Sequence, residues 1–192
     1  MARSKRDPWE LPAFPIGGDE SKDITFTGIG RVISEWEAVE FGLSRIHSVF
    51  CGDPDGEALR LYGKGRIFKE RHSILSAAGD QYFVTKPNQD LEGRLVRLLR
   101  ATEGFADRRN EVAHGIVMAA SNIEYFRIAM KIEPTELRYA LMPPYYLLRK
   151  HQPDGFPAYA YNAEKLSELH KLLSDLSLQI ENFRRSVVAL QG

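Results

Sequence analysis

Residues 162–190 read NAEKLSELHKLLSDLSLQIENFRRSVVAL. Leu166, Leu169, Leu173, Leu176, Ile180, Phe183, Val187 and Leu190 recur at steps of three and four, which places them along one face of a helix starting after Asn162. Such a stripe cannot be buried by its own helix, so the rest of the chain must supply matching faces. Val32, Trp36, Val39, Leu43, Ile46 and Phe50 form one, ending at the turn-rich Gly52-Asp53-Pro54-Asp55-Gly56. Leu91, Leu95, Leu98, Thr102, Phe105, Val112 and Ile116 form another, in a helix beginning near Pro87-Asn88 with Asn88 as its cap. A weaker helix is predicted over Arg66–Tyr82, with Ile67, Ile74, Leu75 and Ala78 on its apolar side.

Between the third and fourth helices the period changes. Ile123–Ile132 and Leu137–Met142 are rich in aromatic and branched residues around Glu133-Pro134-Thr135, which predicts a β-hairpin stopped by Pro143-Pro144. Tyr159-Ala160-Tyr161 is expected to add a short strand. Residues 1–30 are rich in Pro and Gly without a helical period and read as an extended arm. The expected fold is mainly α: an up-and-down helical bundle of about four helices with a small β-hairpin insertion, residues 119–161, before the last helix. Residues 31–192 are expected to form a single domain.

The chain has 192 residues, the scale of one ordinary domain, with 26 Lys plus Arg against 26 Asp plus Glu. Zero net charge excludes a polybasic sleeve on nucleic acid and an acidic disordered tail. The basic residues Arg3, Lys5 and Arg6 are followed by Pro8, Pro12 and Pro15, not by the apolar core of a secretion signal. No stretch approaches the roughly 18 apolar residues that span a bilayer. Cys51 is the one cysteine, without partners for a disulfide or a metal site. These features lead us to expect a cytoplasmic protein without membrane contact.

Chemistry concentrates in Arg108-Arg109-Asn110-Glu111-Val112-Ala113-His114-Gly115, late in the third predicted helix. Asn110 and His114 stand four apart and share a face. Arg109 falls on the apolar seam, where a guanidinium needs an anion or a solvent-filled groove. His can transfer a proton near neutral pH, Arg can hold two phosphate oxygens, and Asn can donate to a phosphate oxygen or fix the orientation of the imidazole. That set suits a phosphodiester and requires no metal or cofactor.

Arg109-Asn110-x-x-x-His114 resembles the Arg-x(4–6)-His signature of the HEPN superfamily, in which the residue after Arg is commonly polar. The resemblance spans about eight residues. It implies a helical bundle and a metal-independent endoribonuclease of toxin–antitoxin, phage-defence or CRISPR systems. It also implies a homodimer whose two motifs face one another across a cleft. By that resemblance Arg109, Asn110 and His114 are the catalytic set. RNA is the expected partner, with an antitoxin protein as a further one. The products would carry 2′,3′-cyclic phosphate and 5′-hydroxyl ends. The hairpin before the last helix is not part of a minimal HEPN bundle. The competing reading is a catalytically inactive helical dimer that binds protein or nucleotide in the same cleft.

Arg108, Lys64, Arg66 and Lys69 are the expected weaker RNA contacts, the last three within a locally basic stretch over 60–72. Arg94, Arg97 and Arg100 form a three-spaced ridge, balanced along the helix by Asp90, Glu92, Glu103, Asp107 and Glu111, so intrahelical pairing is expected there. His47 and His170 sit beside apolar seams and read as core-edge histidines. Tyr139, Tyr145, Tyr146, Tyr159 and Tyr161 are expected to pack the insertion against the bundle, with base stacking as the alternative.

Overall fold

The computed structural model describes residues 7–53, 56–144 and 157–190. These described residues are mainly helical, with one small antiparallel hairpin among them before the last helix. The helices are α1 (Lys22–Phe50), α2 (Glu57–Tyr62), α3 (Phe68–Thr85), α4 (Gln89–His114), α5 (Glu124–Ala129) and α6 (Ala163–Ala189). The strands are β1 (Ile116–Ala119) and β2 (Tyr139–Met142), paired in the register Ile116↔Met142 to Ala119↔Tyr139.

Backbone contacts gather the chain into two compact units. One comprises Met1–Ser34 with Asp107–Leu172, the other Glu35–Ala106 with Leu173–Gly192. The three long helices α1, α4 and α6 each contribute to both.

The second unit is built from the seams. Trp36, Val39, Leu43, Ile46, Leu75, Leu91, Leu95, Leu98, Phe105, Leu173, Leu176, Ile180, Phe183 and Val187 are all buried. Asn88 caps α4, its Oδ1 accepting from the Leu91 amide at 3.0 Å. Trp36 meets Phe68, Glu40 meets Arg71, and Phe50 meets Tyr82, so α1 and α3 run the same way. The hexapeptide α2 makes this arrangement workable by descending along α1: the Ala58 carbonyl reaches His47, and Tyr62 reaches Glu40. Direction then alternates at α3→α4 and α4→α6, where His72 meets the Leu99 carbonyl and Arg94 meets Ser186. The weak helix predicted over Arg66–Tyr82 is α3, running from Phe68 to Thr85, while α2 is not among the expected helices; Ile67, expected on the apolar side, precedes α3 and is 58% exposed.

The first unit departs most from expectation. Residues 22–30, read as part of an extended arm, are the first turns of α1. Asp19 organises them: its Oδ2 accepts from the Thr25 hydroxyl at 2.6 Å, and both of its carboxylate oxygens accept from the Ala163 amide at 3.0 Å. The carboxylate therefore caps α6 beside Asn162, whose Oδ1 accepts from the Lys165 amide. Asp19 also pairs through its backbone with Tyr139, tying the N-terminal segment to β2.

The hairpin is real, but its first strand is Ile116–Ala119 and not Ile123–Ile132. Residues 124–129 form α5 because Phe126 and Met130, four apart, enter a buried cluster with Ala120, Ile132, Ala140, Met142 and Ala160. Tyr161 exchanges both backbone hydrogen bonds with Leu141, a single bridge where a third strand was expected. The part of the predicted insertion at 145–156, including Tyr145 and Tyr146, lies outside the described residues.

Candidate functional site

The Arg108–His114 motif occupies the last two turns of α4. The helix stops where it does because of Gly115. A Cβ there would lie 2.6 Å from Leu141 Cδ1 and 2.7 Å from the Met142 carbonyl, so only glycine lets the chain pass β2 this closely. The next residue is already paired in the hairpin. The motif is thus held at a rigid junction between a helix and a strand pair.

Its residues divide between two faces. Asn110 and His114 are exposed neighbours. Arg109 is half-buried, and its Nη1 donates to Asn110 Oδ1 at 3.0 Å. With its oxygen engaged, Asn110 presents its amide N–H groups outward as donors. At about 100° per residue, Arg109 leaves the helix roughly 140° around from His114, whereas Asn110 stands only about 40° from it. Among the described residues no group hydrogen-bonds the His114 imidazole, and none of them fixes its orientation.

Arg108, expected as a strand contact, is turned inward. Its Nη2 lies 2.8 Å from Glu111 Oε1, with both side chains about nine-tenths covered. Glu111 Oε2 accepts from the Tyr161 hydroxyl at 2.9 Å, and the Tyr159 ring stands edge-on to Tyr161. Burial raises the Glu111 carboxyl above its ordinary range, with the Arg108 charge opposing the shift. Burial and the Glu111 charge together push both tyrosine hydroxyls upward, so both keep their protons at any physiological pH. Tyr159 and Tyr161 are accordingly buried packing residues and not stacking platforms. Sequence reasoning treated Glu111 only as a charge balancing its neighbours. Its position three after an arginine was the available signal, but the partner at Tyr161 is 50 residues away.

Lys64, Arg66 and Lys69 belong to the other unit, and all three are exposed without an ion pair among the described residues. Arg71 of the same stretch is consumed by a bidentate pair with Glu40, at 3.0 and 2.6 Å. His47 is a buried core-edge histidine: Nδ1 lies 3.0 Å from the Ala58 carbonyl, and burial lowers its pKa. Its Nε2 is 3.7 Å from Cys51 Sγ, yet burial and the nearby Asp53 raise the thiol pKa, opposite to what a thiolate nucleophile needs. Among the described residues no group of three or more His, Cys, Asp or Glu side chains is placed to hold a metal, and no helix is long and apolar enough to cross a membrane. Compared with known proteins, the chain matches no family model, no curated protein and no solved structure.

Proposed function

We propose that the protein is a metal-independent endoribonuclease of HEPN type that cleaves single-stranded RNA, acting as a toxin or phage-defence effector and held in check by an antitoxin. The observation that carries the proposal is the outward face of α4, where an arginine-bound Asn110 and an exposed His114 stand side by side. His114 removes the proton from the 2′-hydroxyl or protonates the leaving 5′-oxygen. Arg109 offsets the charge that builds on the pentavalent phosphorus, and Asn110 donates to a non-bridging oxygen. Since Arg109 and His114 diverge around the helix, one motif alone is poorly placed to supply both. Two copies facing each other across a homodimer cleft would let His114 of one meet Arg109 of the other. The deciding experiment incubates the purified protein with single-stranded RNA in EDTA. Cleavage that leaves cyclic phosphate ends and is abolished by His114→Ala is expected. Intact RNA, or cleavage that survives this substitution, refutes the proposal.

The unanchored imidazole of His114 favours a second reading, in which the same helical dimer binds a nucleotide or protein without turnover. It predicts binding that weakens with Asn110→Ala while no cleaved product forms.

A further inference from the structure

In the second unit, α4 and α6 leave a groove of about 340 Å³ lined by Arg94, Arg97, Leu98, Gln179, Asn182 and Phe183. Leu98 and Phe183 are buried and make an apolar floor. Arg94 is half-buried and held in place: its Nη1 donates to Ser186 Oγ at 3.3 Å, and its guanidinium lies 5.7 Å from the centre of the Phe183 ring. Arg97 follows one turn later and is exposed.

The expected intrahelical pairing fails at these two positions. Among the described residues neither arginine forms an ion pair, although Asp90 stands four before Arg94. For Arg97 the reason is in the sequence: its neighbours at three and four residues are Arg94, Gly93, Arg100 and Ala101, none of them acidic. No carboxylate lines the groove. Two guanidinium groups therefore keep their full charge against an apolar floor, with the side-chain amides of Gln179 and Asn182 opposite.

We propose that this groove binds a phosphoryl oxyanion. A phosphate monoester carries roughly −1.5 to −2 charges at neutral pH and three strong acceptor oxygens, which matches two guanidinium forks and two amide donors. A monocarboxylate has one charge and two oxygens and would leave one guanidinium without a counterion; a dicarboxylate such as malonate matches the charge but splits it between two planar groups, so it cannot offer three oxygens on one tetrahedral centre to both guanidinium forks. The apolar floor keeps water off one side of the contact, which strengthens it. The phosphoryl group can belong to a free phosphate compound or to the backbone of a bound strand. Both use the same chemistry, and the proposal does not depend on the motif at His114 being catalytic.

The test is titration of the full chain with inorganic pyrophosphate, with malonate as the carboxylate control, followed by calorimetry. Arg97→Gln is the clean variant because this side chain is exposed and makes no hydrogen bond or ion pair among the described residues; Arg94→Gln is the companion. Pyrophosphate should bind, malonate at least tenfold more weakly, and Arg97→Gln should reduce pyrophosphate affinity at least tenfold without moving the melting temperature. A single-stranded oligoribonucleotide is then titrated on the His114→Ala background, so that binding is read without cleavage. Strand affinity that falls with Arg97→Gln assigns the groove to a nucleic-acid backbone. Strand affinity that does not change, while pyrophosphate affinity falls, assigns it to free phosphate compounds. No binding of pyrophosphate, binding unchanged by Arg97→Gln, or equal affinity for malonate overturns the proposal.

Discussion

The Tyr161 hydroxyl donates to Oε2 of Glu111 at 2.9 Å, joining the segment before α6 to the last turns of α4. Because Oε1 of the same carboxylate pairs with Arg108, one buried acid holds the motif helix in place from inside. Tyr161→Phe removes one donor from a buried carboxylate and should cost about 1–2 kcal/mol. For a chain of this size that is a fall of roughly 2–8 °C in melting temperature. A melting temperature unchanged by the substitution would show that the bond contributes nothing to stability.

Glu111 also implies a pH dependence with a definite sign. Its folded-state pKa lies above the unfolded value, so the folded state holds a proton that the unfolded chain has released. This contribution to stability is fully present below the ordinary carboxylate pKa and is lost as pH rises through the elevated one. Glu111→Gln cannot titrate, and should flatten that fall when denaturant midpoints are measured across the acidic range. It should also lower overall stability, by depriving the Arg108 guanidinium of its counter-charge.

Asp19→Ala should destabilise by about 2 kcal/mol, since it removes the α6 cap and the partner of the buried Thr25 hydroxyl together. Asp19→Asn retains one acceptor oxygen and should lose less. Urea denaturation of the two variants ranks them; midpoints equal to that of the unsubstituted chain would separate Asp19 from both roles.

Two glycines of α1 should respond in opposite directions. A Cβ on Gly28 would lie 2.9 Å from Leu166 Cδ1, whereas one on Gly30 meets nothing within 4 Å. Gly30→Ala removes a glycine from an exposed helix position and should stabilise by about 0.5–1 kcal/mol. Gly28→Ala should destabilise by about 1–3 kcal/mol through overpacking. A thermal melt of each variant distinguishes the two signs.

The divergence of Arg109 and His114 around α4 makes a prediction about mixed dimers. On the proposed ribonuclease function, Arg109→Ala and His114→Ala should each lose at least about 10²-fold in cleavage rate. Mixing the two after co-refolding should restore measurable cleavage if the two groups act from different copies. A mixture as inactive as its components would place both groups in one copy.

How far the sequence could be read depended on the length of each pattern. The seams of α4 and α6 and the later turns of α1 repeat over many residues, and Asn88 announces the start of α4 in a way that Leu91 confirms. The first turns of α1 were hidden because Gly28 and Gly30 weaken local helix preference, and the stabilising partner, Asp19, acts through Thr25 and Ala163. Residues 124–129 carry branched and aromatic side chains that suit a strand, yet burial of Phe126 and Met130 in one cluster selects the helix. At the motif, adjacent arginines differ by about 100° on the helix, and that rotation decides which one finds the interior acid. The period placed Arg109 on the seam, while Arg108 holds the carboxylate of Glu111.

Each compact unit is made of one stretch translated early and one translated late, and the two pairs interleave along the chain. On a ribosome, neither can close when its first stretch emerges: Asp19 must wait for Ala163, and Gly42 for Ile180. Until α6 is released, the growing polypeptide presents half-built apolar faces to its surroundings. Such an order of synthesis delays folding until α6 has emerged and makes α6 the segment on which escape from aggregation depends.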